Sequence, residues 1–193
     1  IKPDYAEAHN NLGLVLNDLG QFDLAISNFN KAITYKPNFF QAYNNLGLSL
    51  NNIEMFKEAL ESFQSAINIY PDYCDAYFNT GITYYNLGDI NQAIEHYKIA
   101  LKINPQFAKA YCNLGIVFRE ISEFDTALES YQTALQINPN YTEVYNNIGI
   151  LYYDMRQFGL SIVNYKKAIS LAPDHIDPWI NLSFSQLVSE IGR

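Results

Sequence analysis

Cysteine and histidine are the side chains here that could act as nucleophiles, bases or metal ligands, and they are few and scattered. The two cysteines, Cys74 and Cys112, form no Cys-x-x-Cys pair, and the three histidines, His9, His96 and His175, lie far apart. None has the spacing of a metal-ligand set or of a nucleophile and its base. We therefore predict no catalytic site, no metal site, no cofactor and no enzyme activity. Two unpaired thiols also favour a reducing compartment, and we expect the cytoplasm.

A row of asparagines is more informative. Asparagine is a mediocre helix former that competes for backbone hydrogen bonds, so helix propensity does not explain its recurrence. Its amide offers a donor and an acceptor, the complement of a peptide bond, so a row could hold an extended peptide by its backbone. Alternatively, the row reflects duplication in an asparagine-rich chain, with side chains that are solvated or bond between repeats. The row consists of Asn11, Asn45, Asn79, Asn113, Asn147 and Asn181.

The spacing of the row is the period of the whole chain. Six of the seven prolines and five of the nine glycines keep the same 34-residue step. A fixed period of this size is the signature of a solenoid array. The prolines are Pro3, Pro37, Pro71, Pro105, Pro139 and Pro173, and the glycines are Gly13, Gly47, Gly81, Gly115 and Gly149.

Residues 6–39 show how one repeat is expected to fold. Leu12, Leu16 and Leu19 recur at helical spacing and predict a first helix, and a second apolar helical pattern follows and ends at Pro37. Helices of about 13 residues are marginal alone, so the two must pack together. The mid-helix glycines, which cost up to about 1 kcal/mol each, are predicted to be packing residues. A small column on the second helices is expected to let two helix backbones approach closely, and the large aromatics of the same helices should fill the gap towards neighbouring helices. The small column is Ala25, Ala59, Ala93 and Ala127, broken by Ser161, and the aromatics are Phe29, Phe63, Tyr97, Tyr131 and Tyr165.

The pattern of His9, Leu12, Gly13, Leu16, Ala25, Phe29, Ala32 and Pro37 resembles the tetratricopeptide repeat, a helix–turn–helix of 34 residues. The resemblance implies an all-α fold, a right-handed α-solenoid whose first helices line the concave side. The predicted repeats are 6–39, 40–73, 74–107, 108–141 and 142–175. Residues 1–5 match the end of a preceding, truncated repeat, and residues 176–193 resemble the first helix of a sixth. We accordingly expect a piece of a longer protein.

Segments such as AHNNLG and VYNNIG also resemble the tetratricopeptide superhelix of O-linked N-acetylglucosamine transferases and related bacterial proteins. That resemblance implies that the asparagine row contacts the backbone of a bound peptide, while no glycosyltransferase activity carries over. An apolar column beside the row could form a binding strip or belong to the core, and we favour the core. Its members are Leu14, Leu48, Ile82, Ile116, Ile150 and Phe184.

The charge of the chain and its exposed apolar residues bear on three other possible kinds of partner. The net charge of −8 opposes binding to nucleic acid or to anionic membranes. A chaperone adaptor would need a clamp of cations, but the first helices supply only Lys109 and Arg119. Weak self-association through the terminal helix is the structural alternative, because truncated solenoids expose apolar faces. Candidate contacts there are Ile180, Leu187, Val188 and Ile191.

Overall fold

The computed structural model describes residues 4–191, with side chains from Tyr5 to Glu190. These residues form helices and turns and no strand, so the predicted all-α class is confirmed. The helices are α1 (Asp4–Asp18), α2 (Phe22–Tyr35), α3 (Phe40–Asn52), α4 (Phe56–Ile69), α5 (Cys74–Asn86), α6 (Ile90–Ile103), α7 (Ala108–Glu120), α8 (Phe124–Ile137), α9 (Thr142–Asp154), α10 (Phe158–Leu171) and α11 (Ile176–Ile191).

Consecutive helices pack as pairs, each consisting of an odd-numbered first helix and an even-numbered second helix. The chain divides into two compact units, Ile1–Pro105 and Gln106–Arg193. The first unit contains the pairs α1–α2, α3–α4 and α5–α6, and the second contains α7–α8 and α9–α10. Helix α11 is not followed by a second helix within the described residues. It packs against both α10 and α9.

A tight turn joins the two helices of each pair, and one residue of the turn adopts left-handed backbone geometry. Two of these residues are glycines, Gly20 and Gly88, for which a positive φ has no steric cost. Glu54, Ser122 and Arg156 take the same place in the other pairs, with φ of 62°, 64° and 58°. The turn geometry is therefore imposed by the packing of the pair even where no glycine is present.

The core of each pair is built on one contact between a glycine and an aromatic ring. A Cβ atom placed on Gly81 would lie 2.6 Å from Cε1 of Tyr97, too close for any real contact. The other four mid-helix glycines face the corresponding ring in the same way, and all five rings are buried. In the fourth pair, α7–α8, the fully buried small side chains Ala127 and Ala134 belong to the same core cluster as the Tyr131 ring. The glycines are thus packing residues, as predicted.

Two of the leucines whose spacing predicted the first helix lie at the surface of α1: Leu12 is 48% exposed and Leu19 is 65% exposed. Leu12 is exposed because no described helix packs on that side of α1, whereas its counterpart Leu46 is covered and buried. Helix α1 also begins at Asp4, two residues before the predicted start of the repeat. The earlier residues of the predicted closing segment, 1–3, lie outside the described residues.

Candidate peptide-binding face

The asparagine row lies near the middle of the first helices, one residue in each of α1, α3, α5, α7, α9 and α11. Asn11 is exposed, Asn79 is 8% exposed, and the other four are half-buried. Five of the six side chains are therefore at least partly shielded from solvent.

Within each unit the row asparagines donate hydrogen bonds to the preceding first helix. In every case the amide nitrogen Nδ2 is the donor, and the acceptor lies 35 residues earlier in the chain. The bonds to amide oxygens are Asn45 to Asn10 (2.9 Å), Asn79 to Asn44 (2.9 Å) and Asn181 to Asn146 (3.0 Å). Each bond uses one N–H group, and the second N–H and the oxygen Oδ1 of the donor residue take no part in it.

On α7, in the second unit, Cys112 takes the place of the acceptor asparagine. Asn147 donates to its sulfur over 3.5 Å, a longer contact to a much weaker acceptor. The thiol is fully buried, and this burial, together with the nearby carboxylate of Glu143, raises its pKa to about 12. Cys112 is therefore a structural thiol with little thiolate character at neutral pH.

A second set of hydrogen bonds connects first helices in the first unit, and the sequence analysis missed it. The hydroxyl of Ser49 donates to Oδ1 of Asn17 over 2.7 Å, and that of Thr83 donates to Oδ1 of Asn51 over 3.1 Å. Both hydroxyl residues are fully buried. In the sequence, each of these bonds corresponds to a serine or threonine 32 positions after an asparagine. This spacing can be interpreted only when the packing of neighbouring helix pairs is known.

The apolar column beside the row is not part of the buried core that we predicted. Leu14 and Phe184 are exposed, and the four members between them are half-buried. Leu48 and Ile116 pack against core clusters with part of their surface. The column therefore borders the row as a partly accessible apolar strip.

Ionisable groups on this face do not form a cation clamp. Of the two cations that the sequence offered, Arg119 donates to Asp154 over 2.9 Å and is already engaged by that carboxylate. Among the described residues, no group of three or more His, Cys, Asp or Glu side chains could hold a metal ion. Over the same range, no helix has the length and apolar character needed to cross a bilayer.

Sequence comparison identifies the class of protein that this fold defines. The chain belongs to the tetratricopeptide repeat family, because models of this family cover most of it. A model described as TPR repeat matches residues 55–88, 83–122 and 117–155, and one described as Tetratricopeptide repeat matches residues 6–39 and 142–175. No curated protein sequence matches the chain.

Solved structures agree on the fold. A thermophilic TPR protein of Thermus thermophilus is 24% identical, with a TM-score of 0.81 over 94% of this chain and 99% of that one. PilF of Pseudomonas aeruginosa is 20% identical, with a TM-score of 0.84 over 97% and 85%. YrrB, described as a TPR protein with an unusual peptide-binding site, is 21% identical, with a TM-score of 0.65 over 89% and 88%. The fold is a scaffold suited to binding proteins or peptides.

Proposed function

We propose that the chain is a non-catalytic scaffold whose asparagine row binds the backbone of an extended peptide or protein segment. The observation that carries the proposal is the fixed orientation of the row amides. Asn45, Asn79 and Asn181 are each held by one hydrogen bond to the preceding first helix. A side chain held in this way loses little further rotamer freedom when it binds a ligand, which favours affinity.

The amide chemistry sets the kind of ligand. In Asn45, Asn79 and Asn181 the interhelical bond uses one N–H, and the amide has an acceptor oxygen and a second N–H beyond it. A peptide unit offers the matching donor and acceptor. The partly accessible apolar strip beside the row, for example Ile82 and Ile150, would cover apolar parts of the ligand. Backbone recognition of this kind tolerates many side-chain sequences. The link to glycosyltransferases rests on the resemblance of the sequence alone and stays a prediction.

Backbone recognition can be tested with modified peptides. The probes are nine-residue fluorescein-labelled peptides, their scrambled versions and versions with N-methyl groups on alternate residues, measured by fluorescence anisotropy. Scrambling should change the dissociation constant little, whereas N-methylation removes backbone donors and should weaken binding about tenfold or more. N-methylated peptides that bind as tightly as their parents would show that the row does not read the backbone.

A further inference from the structure

Helices α9 and α11 of the second unit carry the same three kinds of side chain on the face that holds the row. On each helix an acidic residue is followed four positions later by a row asparagine and three positions after that by an apolar residue. Residues spaced i, i+4 and i+7 lie on one face of a helix. The two sets are Glu143, Asn147 and Ile150 on α9, and Asp177, Asn181 and Phe184 on α11.

A cavity lies at the apolar end of these two sets. Its volume is about 260 Å³, and its lining is Ile150, Tyr153, Tyr165, Asn181 and Phe184. Among these described residues, Asn181 contributes the only amide side chain, and its nitrogen already donates to Asn146. Phe184 is 58% exposed, so one wall of the cavity is an aromatic ring that faces solvent. A space of this size and lining suits one apolar side chain beside a single backbone hydrogen bond.

A larger and more polar cavity, of about 620 Å³, lies at the other end of the same helices. Its lining includes Glu143, Asp177, Asn146 and Asn147, and the described residues around it include no lysine or arginine. His175 is the basic side chain of this lining, with Nδ1 3.9 Å from a carboxylate oxygen of Asp177. The net charge of the whole chain is −8, so a second copy of the chain is a poor occupant and a basic segment is a good one.

Helix geometry also fixes the distance between the acidic residue and the apolar residue of each set. Glu143 and Ile150 are seven residues apart on α9, as are Asp177 and Phe184 on α11. Seven residues of helix span about 10 Å at 1.5 Å per residue. An extended peptide advances about 3.3 Å per residue, so it covers this distance in about three residues.

We infer that the face between α9 and α11 is a specificity site for an extended peptide that carries a basic and an apolar side chain three residues apart. The inference rests on the proposed function. At this site the peptide runs along α9 and α11 and crosses the row, and the row amides Asn147 and Asn181 hold its backbone between the two side chains. The apolar side chain enters the 260 Å³ cavity beside Phe184. The lysine or arginine lies at the carboxylates of Glu143 and Asp177.

The experiment uses designed peptides with the whole chain. Labelled nine-residue peptides of serine and alanine carry Lys-x-x-Leu or the reversed Leu-x-x-Lys, so that either chain direction can bind. The better peptide is then altered by Leu→Ser, by Lys→Glu, or by moving the two residues next to each other. Each alteration should raise the dissociation constant about tenfold. For Leu→Ser the reason is that burial of a leucine side chain contributes at least a factor of about ten to the affinity.

Two matched variants of the protein test whether the apolar cavity beside Phe184 causes the preference for the Lys/Leu peptide. Phe184→Ala removes one wall of the apolar cavity and should weaken the Lys/Leu peptide about tenfold while leaving the Ser-substituted peptide unchanged. Ile176→Ala is the control, because Ile176 is an exposed apolar residue on the same helix and lines neither cavity. Far-UV circular dichroism checks that both variants keep wild-type helicity.

The outcomes separate the inference from the proposed function. Selective loss with Phe184→Ala and with the altered peptides supports the specificity site. Binding that is equal for all peptides and for Phe184→Ala overturns the specificity site but leaves backbone recognition by the row intact. Failure of every peptide to bind the wild-type chain at millimolar concentration overturns both.

Discussion

The side-chain nitrogen of Asn79 on α5 donates a hydrogen bond to the side-chain oxygen of Asn44 on α3 over 2.9 Å. Asn44 comes one position before Asn45, the member of the row that precedes Asn79. The same offset of 35 residues relates Asn181 to Asn146. A row asparagine therefore has a structural task, which is to connect neighbouring first helices. A test of its binding role must remove the binding group and the connecting bond separately.

Replacement of Gly81 by leucine should lower the free energy of unfolding by about 1–3 kcal/mol or more. Even a Cβ atom at this position would meet the ring of Tyr97 at 2.6 Å, and the buried ring has no room to move away. Urea denaturation followed by circular dichroism measures the change.

Gly159→Ala is the control for Gly81→Leu, because a Cβ atom on Gly159 has nothing within 4 Å. Alanine should leave stability there unchanged or raise it by up to about 1 kcal/mol through helix propensity. An unchanged denaturation midpoint for Gly81→Leu would contradict the glycine–aromatic contact.

Tyr131→Phe should raise the free energy of unfolding by about 1 kcal/mol. The Tyr131 hydroxyl is buried and makes no hydrogen bond of good geometry among the described residues; the Arg119 guanidinium, through its charge and a weak hydrogen-bonding contact, offsets only part of the rise in the pKa of Tyr131 that burial causes. Removal of an unsatisfied buried hydroxyl removes its desolvation cost. The equivalent positions Phe29 and Phe63 show that the column accepts phenylalanine.

Tyr165→Phe supplies the matched comparison for Tyr131→Phe. The Tyr165 hydroxyl lies beside Ser161 and Ser185, whose hydrogen bonds to it partly offset the rise in its pKa caused by burial. Phenylalanine should therefore cost about 1 kcal/mol here, in contrast to Tyr131. Thermal unfolding measures both variants, and a shift of the same sign and size in the two would count against this assignment of partners.

Cys112→Asn should make the chain less sensitive to alkali. Burial raises the pKa of Cys112 from 9.0 to about 12, so the unfolded chain loses the thiol proton first. The resulting contribution to stability is complete below about pH 9 and is lost as the pH rises towards 12. Asparagine does not titrate and can accept from Asn147 as Asn44 accepts from Asn79, a bond worth about 1 kcal/mol.

The measurement for Cys112→Asn is the free energy of unfolding in urea between pH 7 and pH 11. The variant should lose stability less steeply above pH 9 than the wild type. The variant also removes the thiolate charge that raises the pKa values of Tyr131 and Tyr141, so the titration of these tyrosines should change its stability in the same direction. Parallel curves for the two proteins would show that the thiol does not contribute.

Much of the fold was predictable because each pair repeats the same local contacts. Gly81 and Tyr97 are only 16 residues apart, and the five copies of the glycine column marked it as a packing position, although the ring that each glycine contacts was not predicted. The partners of the row were not predictable, since the bond from Asn79 to Asn44 depends on how one pair rotates against the next. The exposure of Leu12 was missed for a similar reason, because a repeated pattern does not show which copy lacks a covering helix.

We expect weak self-association through α11. Ile180 and Leu187 are exposed, Val188 is half-buried, and the side chain of Ile191 lies outside the described ones. Sedimentation velocity should show a mass that rises with concentration, and Val188→Lys should reduce the rise. Gln186→Lys adds the same charge at an exposed polar position of α11 and should have a smaller effect. A mass distribution that Val188→Lys leaves unchanged would exclude this surface as the contact.

The central claim is that the row binds peptide backbone, and two triple variants test it. The row variant replaces Asn45, Asn79 and Asn181 with alanine, which removes these row amides together with their three interhelical hydrogen bonds. The acceptor variant replaces Asn10, Asn44 and Asn146 with alanine, which removes the same three bonds but keeps the row amides. Each bond contributes about 0.5–1.5 kcal/mol, so the two variants should be destabilised to a similar degree.

The decisive measurement is calorimetric titration of both variants with the tightest-binding unmodified peptide of the nine-residue panel, with helicity checked by circular dichroism. The row variant should bind at least tenfold more weakly than the acceptor variant while both remain folded. Equal affinity of the two folded variants would contradict the account, since the asparagines would then serve only to connect neighbouring helices.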